Sequence, residues 1–91
     1  MSSMEIPAEM RAKYVERRKA DLVTLETSLQ SNDLNPIQTI AHQVKGNAIS
    51  YGFDDLGHIA AALDQAAKNS DWNVVTLCVA QFKDWVQKIS A

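Results

Sequence analysis

Cysteine is nearly absent. Cys78 stands alone, so the chain can form no internal disulfide, which fits a reducing cytosol. Glycine and proline are scarce, at 3 and 2 residues, which argues against a β-rich fold with many turns. No apolar run approaches a membrane span; the longest uninterrupted one is Ile59 to Leu63. The N-terminus has no basic segment followed by an apolar one, so no signal peptide is expected. Net charge is only −2, too little for a global field that would hold nucleic acid or an anionic membrane. There is no nucleotide-binding loop, no internal repeat and no low-complexity segment.

What is present is ordinary for a globular chain: 46% hydrophobic and 22% charged residues among 91. That length makes one domain, residues 1–91, with one core and about 60–65% of the unfolded surface buried. Four stretches repeat apolar residues at helical spacing. The first begins at Pro7, a good first helical residue, and places Met10, Tyr14, Leu22, Leu25 and Leu29 on one broad face. Arg18 falls within that stripe and is expected to snorkel from its edge. The second begins near Asn35-Pro36; Ile37, Ile40, Ala41, Val44, Ala48 and Tyr51 share a face, and Gly52 closes it. The third opens at Asp54 or Asp55, with Leu56, Ile59, Ala60, Leu63 and Ala67 as its stripe. The fourth runs from about Trp72 to Ile89 along Val75, Cys78, Val79, Phe82, Trp85, Val86 and Ile89. Ser31-Asn32-Asp33 and Asn69-Ser70-Asp71 supply cap and turn chemistry between them. Four one-sided helices with tight connections fold most simply as an all-α, antiparallel up-down-up-down four-helix bundle.

His42 is the residue that does not belong to this core pattern. On a helical wheel the apolar residues of its stretch centre roughly 150° away, so the imidazole points out of the bundle. Gln38, Lys45, Gly46 and Ile49 share its side, each within ~60°. A glycine inside a helix costs ~1 kcal/mol relative to alanine, and close approach of another backbone would offset that. An exposed histidine by itself is commonly no more than a surface residue. An imidazole with a cation and a gap beside it suits a histidine that accepts a phosphoryl group from another protein.

From Ile40 to about Ala67 the chain resembles the histidine-containing phosphotransfer (HPt) domain. The matching residues are Ala41-His42-Gln43-Val44-Lys45-Gly46-Asn47, then Ser50-Tyr51-Gly52-Phe53, then Leu56 and the run from Ala60 to Ala67. The resemblance implies a four-helix bundle and a carrier with no kinase activity of its own, working in a multistep two-component phosphorelay. It implies that His42 is the phosphoacceptor through Nε2, Lys45 the neighbouring cation, and Gly46 the small residue that lets a receiver dock. Gln38, Gln43, Asn47 and Ile49 would flank the phosphate site. Asn47 stands where many members have Ser or Ala, and its polar end would cap or bond locally. Asp64 stands where the family often carries Gln or Glu near the imidazole. Aspartate is shorter, which leaves open whether it meets His42 directly or through a water. The implied partners are response-regulator receiver domains and a hybrid histidine kinase. No cofactor is expected on this chain, and Mg²⁺ is expected in the partner receiver's acidic pocket. A cytoplasmic monomer is expected.

The remaining candidates read as structure. A zinc site from His42 and His58 would need further ligands, and no motif supplies them. Cys78, Trp72 and Trp85 read as packing residues. Arg11, Lys13, Arg17, Arg18 and Lys19 read either as a solvated helix face or as a docking surface for an acidic partner. The rival to the carrier is an HPt-like adaptor or inhibitor that docks on a receiver or kinase without carrying phosphate. A variant of the carrier drains phosphate from a receiver by hydrolysis.

Overall fold

Three helix ends close with the same backbone device, and only one of them uses glycine. The computed structural model describes residues 6–91. Helix α1 spans Ala8–Ser31, α2 Leu34–Asn47, α3 Asp54–Lys68 and α4 Trp72–Ser90; a short 3-10 turn, Ile49–Tyr51, follows α2. Asn32, Gly52 and Ser70 each take the left-handed conformation, with φ of 55°, 86° and 54°. At each, the next residue's N–H reaches back five positions: Asp33 to Ser28, Phe53 to Ala48 and Asp71 to Ala66. This satisfies carbonyls that would otherwise be orphaned at the helix end. Asp33 and Asp71 then start the next helix, their carboxylates accepting from the N–H groups of Asn35 and Val74. The second helix therefore begins with Asp33 as its cap, just ahead of the expected Asn35-Pro36. Pro36 lies in the first turn, where its missing N–H costs nothing.

Such short links force antiparallel neighbours. Each helix packs on its sequence neighbour and α4 closes against α1, with α2 and α3 in the most extensive contact. There is no strand among the described residues. The expected four-helix bundle is what forms. Its core is Leu25 of α1; Ile37, Ala41 and Val44 of α2; Leu56, Ala60 and Leu63 of α3; and Val75 and Phe82 of α4. Alanines at 41, 48, 60, 66 and 67 are buried, and their small size lets α2 and α3 approach closely.

An aromatic cluster fastens the α2–α3 connection to the outer helices. Tyr14 stacks on Tyr51 at 4.4 Å and lies 5.6 Å from Phe53, which meets Trp85 edge-on at 5.2 Å. Three expectations need correction here. Met10 and Ile89, read as stripe residues, are exposed at 46% and 42%. They occupy the first turn of α1 and the last turn of α4, at the outer ends of their stripes. Arg18 does not snorkel. It is buried, with its guanidinium 4.3 Å from the Tyr14 ring centroid and its Nε 2.8 Å from Asp21 Oδ2, though not aligned for a hydrogen bond. The ring face and the neighbouring carboxylate together replace water around the cation.

Candidate functional site

The buried seam of α2 sets the direction of His42. Ile37, Ile40, Ala41, Val44 and Ala48 all face inward, so a residue between Ala41 and Gln43 on the opposite side must face solvent. His42 is exposed. It lies on the α2 wall of a shallow recess of ≈ 510 Å³ between α2 and α3. Gln38 and Gln43 line the same recess from α2, and Asp64 and Lys68 from α3.

Asp64 organises the floor. It is only 2% exposed, and its Oδ2 takes two ammonium groups, Lys45 Nζ at 2.8 Å and Lys68 Nζ at 3.2 Å. Its Oδ1 is buried with no hydrogen-bond partner. Burial pushes the Asp64 carboxyl up, but the hydrogen bonds and charges of Lys45 and Lys68 outweigh it, and the carboxyl is held below its ordinary range. Asp64 and His42 thus share a recess, while the hydrogen bonds of Asp64 go to the two lysines. Lys45, one turn from His42, is tied across to α3 rather than free in solvent.

Gly46 sits in the next turn after His42, exposed, and a Cβ built there would meet nothing within 4 Å. No packing among the described residues requires that glycine. Ile49 is 54% exposed at the start of the 3-10 turn. Asn47 differs from expectation. Its Oδ1 accepts a hydrogen bond from Tyr14 Oη on α1, a contact across the bundle rather than a local cap. Burial pushes the Tyr14 hydroxyl above its usual value, against the pull of Arg18, which keeps it a donor.

Sequence reasoning missed Lys68, Gly57 and the role of Tyr14. Lys68 had a signal: it follows Asp64 by four positions, the spacing of an acid–base pair on one helix face. Tyr14 had none, because a stripe residue gives no hint of where its hydroxyl ends. On the other side of α2 a second recess, of ≈ 470 Å³, is lined by Lys13, Tyr14, Arg17 and Tyr51, and Gln43 borders both recesses. Among the described residues, no group of three or more His, Cys, Asp or Glu is placed to hold a metal, and no helix is long and apolar enough to cross a membrane.

A bundle of this topology, with an exposed histidine on its second helix, is the architecture of phosphotransfer domains. The family model of the Hpt domain matches residues 9–91, and the chain belongs to that family. No curated protein and no solved structure matches it. Hpt domains serve histidine phosphotransfer in two-component phosphorelays as carriers rather than catalytic domains, and they interact with receiver domains and histidine kinases.

Proposed function

We propose that His42 accepts a phosphoryl group from the aspartyl phosphate of a receiver domain and returns it to a receiver, making the chain an intermediate in a multistep relay. One observation carries this reading: in an Hpt-family chain, the exposed imidazole of His42 stands opposite the buried seam with open space over Gly46 in the next turn. Imidazole is the side chain whose neutral, nucleophilic form is available near neutral pH. In the reaction the Nε2 lone pair attacks phosphorus in line, the bond from phosphorus to the aspartyl oxygen breaks, and the receiver recovers its carboxylate. Nδ1 keeps its proton, so the product is an N-phosphoryl imidazolium. The reverse transfer follows the same path.

The division of labour follows from charge. Among the described residues Asp64 is the one carboxylate lining the recess and it is already paired with lysines, so the His42 site offers no free acidic pocket. The receiver brings that pocket, with Mg²⁺. The docking face comprises His42, Gln38, Gln43, Gly46 and Ile49, flanked across Gln43 by the basic side of α1. The partners are receiver domains, including that of a hybrid kinase, and the setting is the cytosol.

The test is phosphoryl transfer from a panel of phosphorylated receivers to the wild type and His42→Gln, followed by acid and alkali. Acid-labile, alkali-stable label on the wild type alone is the expected result. Equal label on His42→Gln would refute the assignment. Receiver binding without any label would make the chain an adaptor.

A further inference from the structure

The cation expected beside the phosphate, Lys45, is not among the residues lining the His42 recess, whereas Lys68 is. We propose that Lys68 is the cation that engages the phosphoryl group on His42, and that Asp64 holds it in reserve until the group arrives. This rests on the reading of His42 as the phosphoacceptor.

Three observations carry the proposal. First, His42 and Lys68 form opposite walls of one recess, His42 from α2 and Lys68 from α3. Second, the two lysines share a single oxygen. Asp64 Oδ2 lies 2.8 Å from Lys45 Nζ and 3.2 Å from Lys68 Nζ, so two positive charges meet one negative charge and the cluster keeps a positive surplus. An arriving phosphoryl group carries close to two negative charges and is drawn to that surplus. Third, the lysines differ in freedom. The Lys68 side chain is 48% exposed and makes the longer contact, while Lys45 is 38% exposed and makes the shorter one.

Lys68 can therefore turn from Asp64 to the phosphoryl oxygens while Lys45 stays. That order matters because Asp64 is buried and its Oδ1 already lacks a partner. Losing both lysines would strand a buried charge, which is strongly unfavourable; losing one leaves it paired. Lys45 acts as the permanent counter-ion of Asp64 and Lys68 as the mobile one.

The test needs no cognate receiver. Phosphoramidate phosphorylates histidine directly: Nε2 attacks phosphorus, the phosphorus–nitrogen bond breaks, and ammonia leaves with the electron pair. The full chain, His42→Gln, Lys68→Met, Lys68→Arg and Lys45→Met are treated alike, and the phosphohistidine is titrated by ³¹P NMR. A nearby ammonium favours the dianion and lowers the phosphoryl group's second pKa. Lys68→Met is expected to raise that pKa by ~0.5–1 unit, Lys68→Arg to restore it, and Lys45→Met to move it less. If Lys68→Met titrates like the wild type, or Lys45→Met moves the value more, the proposal falls while His42 stands. If the wild type shows no phosphohistidine signal that His42→Gln lacks, both readings fall.

Discussion

Ile49 lies across Gly57 so closely that a Cβ on the glycine would stand 2.8 Å from its Cγ1 and 3.2 Å from its Cδ1. The exposed isoleucine next to the His42 face is thus seated on α3, and the glycine of α3 exists to seat it. Gly46 contrasts with it, since among the described residues nothing outside its own helix turn comes within 4 Å of its missing Cβ. The two glycines sit inside helices for different reasons, one internal and one external.

Alanine at these positions separates the reasons. Gly46→Ala should stabilise the fold by about 0.5–1 kcal/mol, the ordinary helix-propensity gain, with Ile49 undisturbed. Gly57→Ala should show a smaller gain or a loss, because Ile49 must move aside. Urea unfolding reads the first quantity and the Ile49 methyl resonances read the second. Larger Gly46 substitutions, such as Gly46→Gln, should preserve stability and slow transfer from receivers by blocking their approach. Unchanged transfer would refute the steric role of Gly46.

Most of the bundle was legible in the sequence because one-sided apolar spacing is a local property. The seams of α2, α3 and α4 could be read directly, as could the exposed direction of His42. Gly52 as a helix stop was legible too, since glycine is the usual left-handed residue; Asn32 and Ser70 take the same role within segments whose cap and turn chemistry was legible but whose left-handed residue was not. What stayed hidden depends on which helices meet. The burial of Arg18 over Tyr14, the bond from Tyr14 to Asn47 and the seating of Ile49 on Gly57 all join residues from different turns or helices. The exposure of Met10 and Ile89, at the outer ends of their stripes, shows only in the fold. Lys68 lay between these cases, its pairing with Asp64 visible as spacing but its place beside His42 visible only in the fold.

Asp64 should make stability depend on acid pH. Its folded carboxyl lies below the ordinary value of 3.8, because Lys45 and Lys68 outweigh the opposing effect of burial. A lowered folded pKa contributes stability that is present above the unfolded value and is lost as pH falls through the folded one. Asp64→Asn should therefore cost about 1–2 kcal/mol at pH 7, between exposed ion pairs and charged hydrogen bonds, and the gap to wild type should narrow below about pH 4. Urea midpoints at pH 7 and pH 3 check this. A gap of constant size would show that the ion pairs contribute nothing.

Tyr14 ties α1 to α2 through its hydrogen bond to Asn47 and to the following 3-10 turn through its stack on Tyr51. Tyr14→Phe keeps the ring over Tyr51 and removes only the donor, so it should cost about 1 kcal/mol. Asn47→Ala should cost a similar amount, and the double variant little more than either, because both remove the same bond. Fully additive losses in a double-mutant cycle would mean that the bond carries no stability.

Lys13 and Arg17 line the recess beside Tyr14 and Tyr51, and Gln43 links that recess to the one holding His42. Among the described residues no carboxylate lines it, so the basic side of α1 presents a positive field beside the proposed docking face. Such a field acts on encounter more than on the bound complex. Lys13→Glu combined with Arg17→Glu should slow transfer at subsaturating receiver by about tenfold in low salt. The rate at saturating receiver should stay near that of the wild type. Raising the ionic strength should shrink the defect, because these exposed charges are screened over a Debye length of about 10 Å at 0.1 M salt. Transfer rates measured against receiver and salt concentration test both statements. A defect in the saturated rate that persists in high salt would place these residues in the reacting complex itself, and an absent defect would return the basic run of α1 to a solvated helix face.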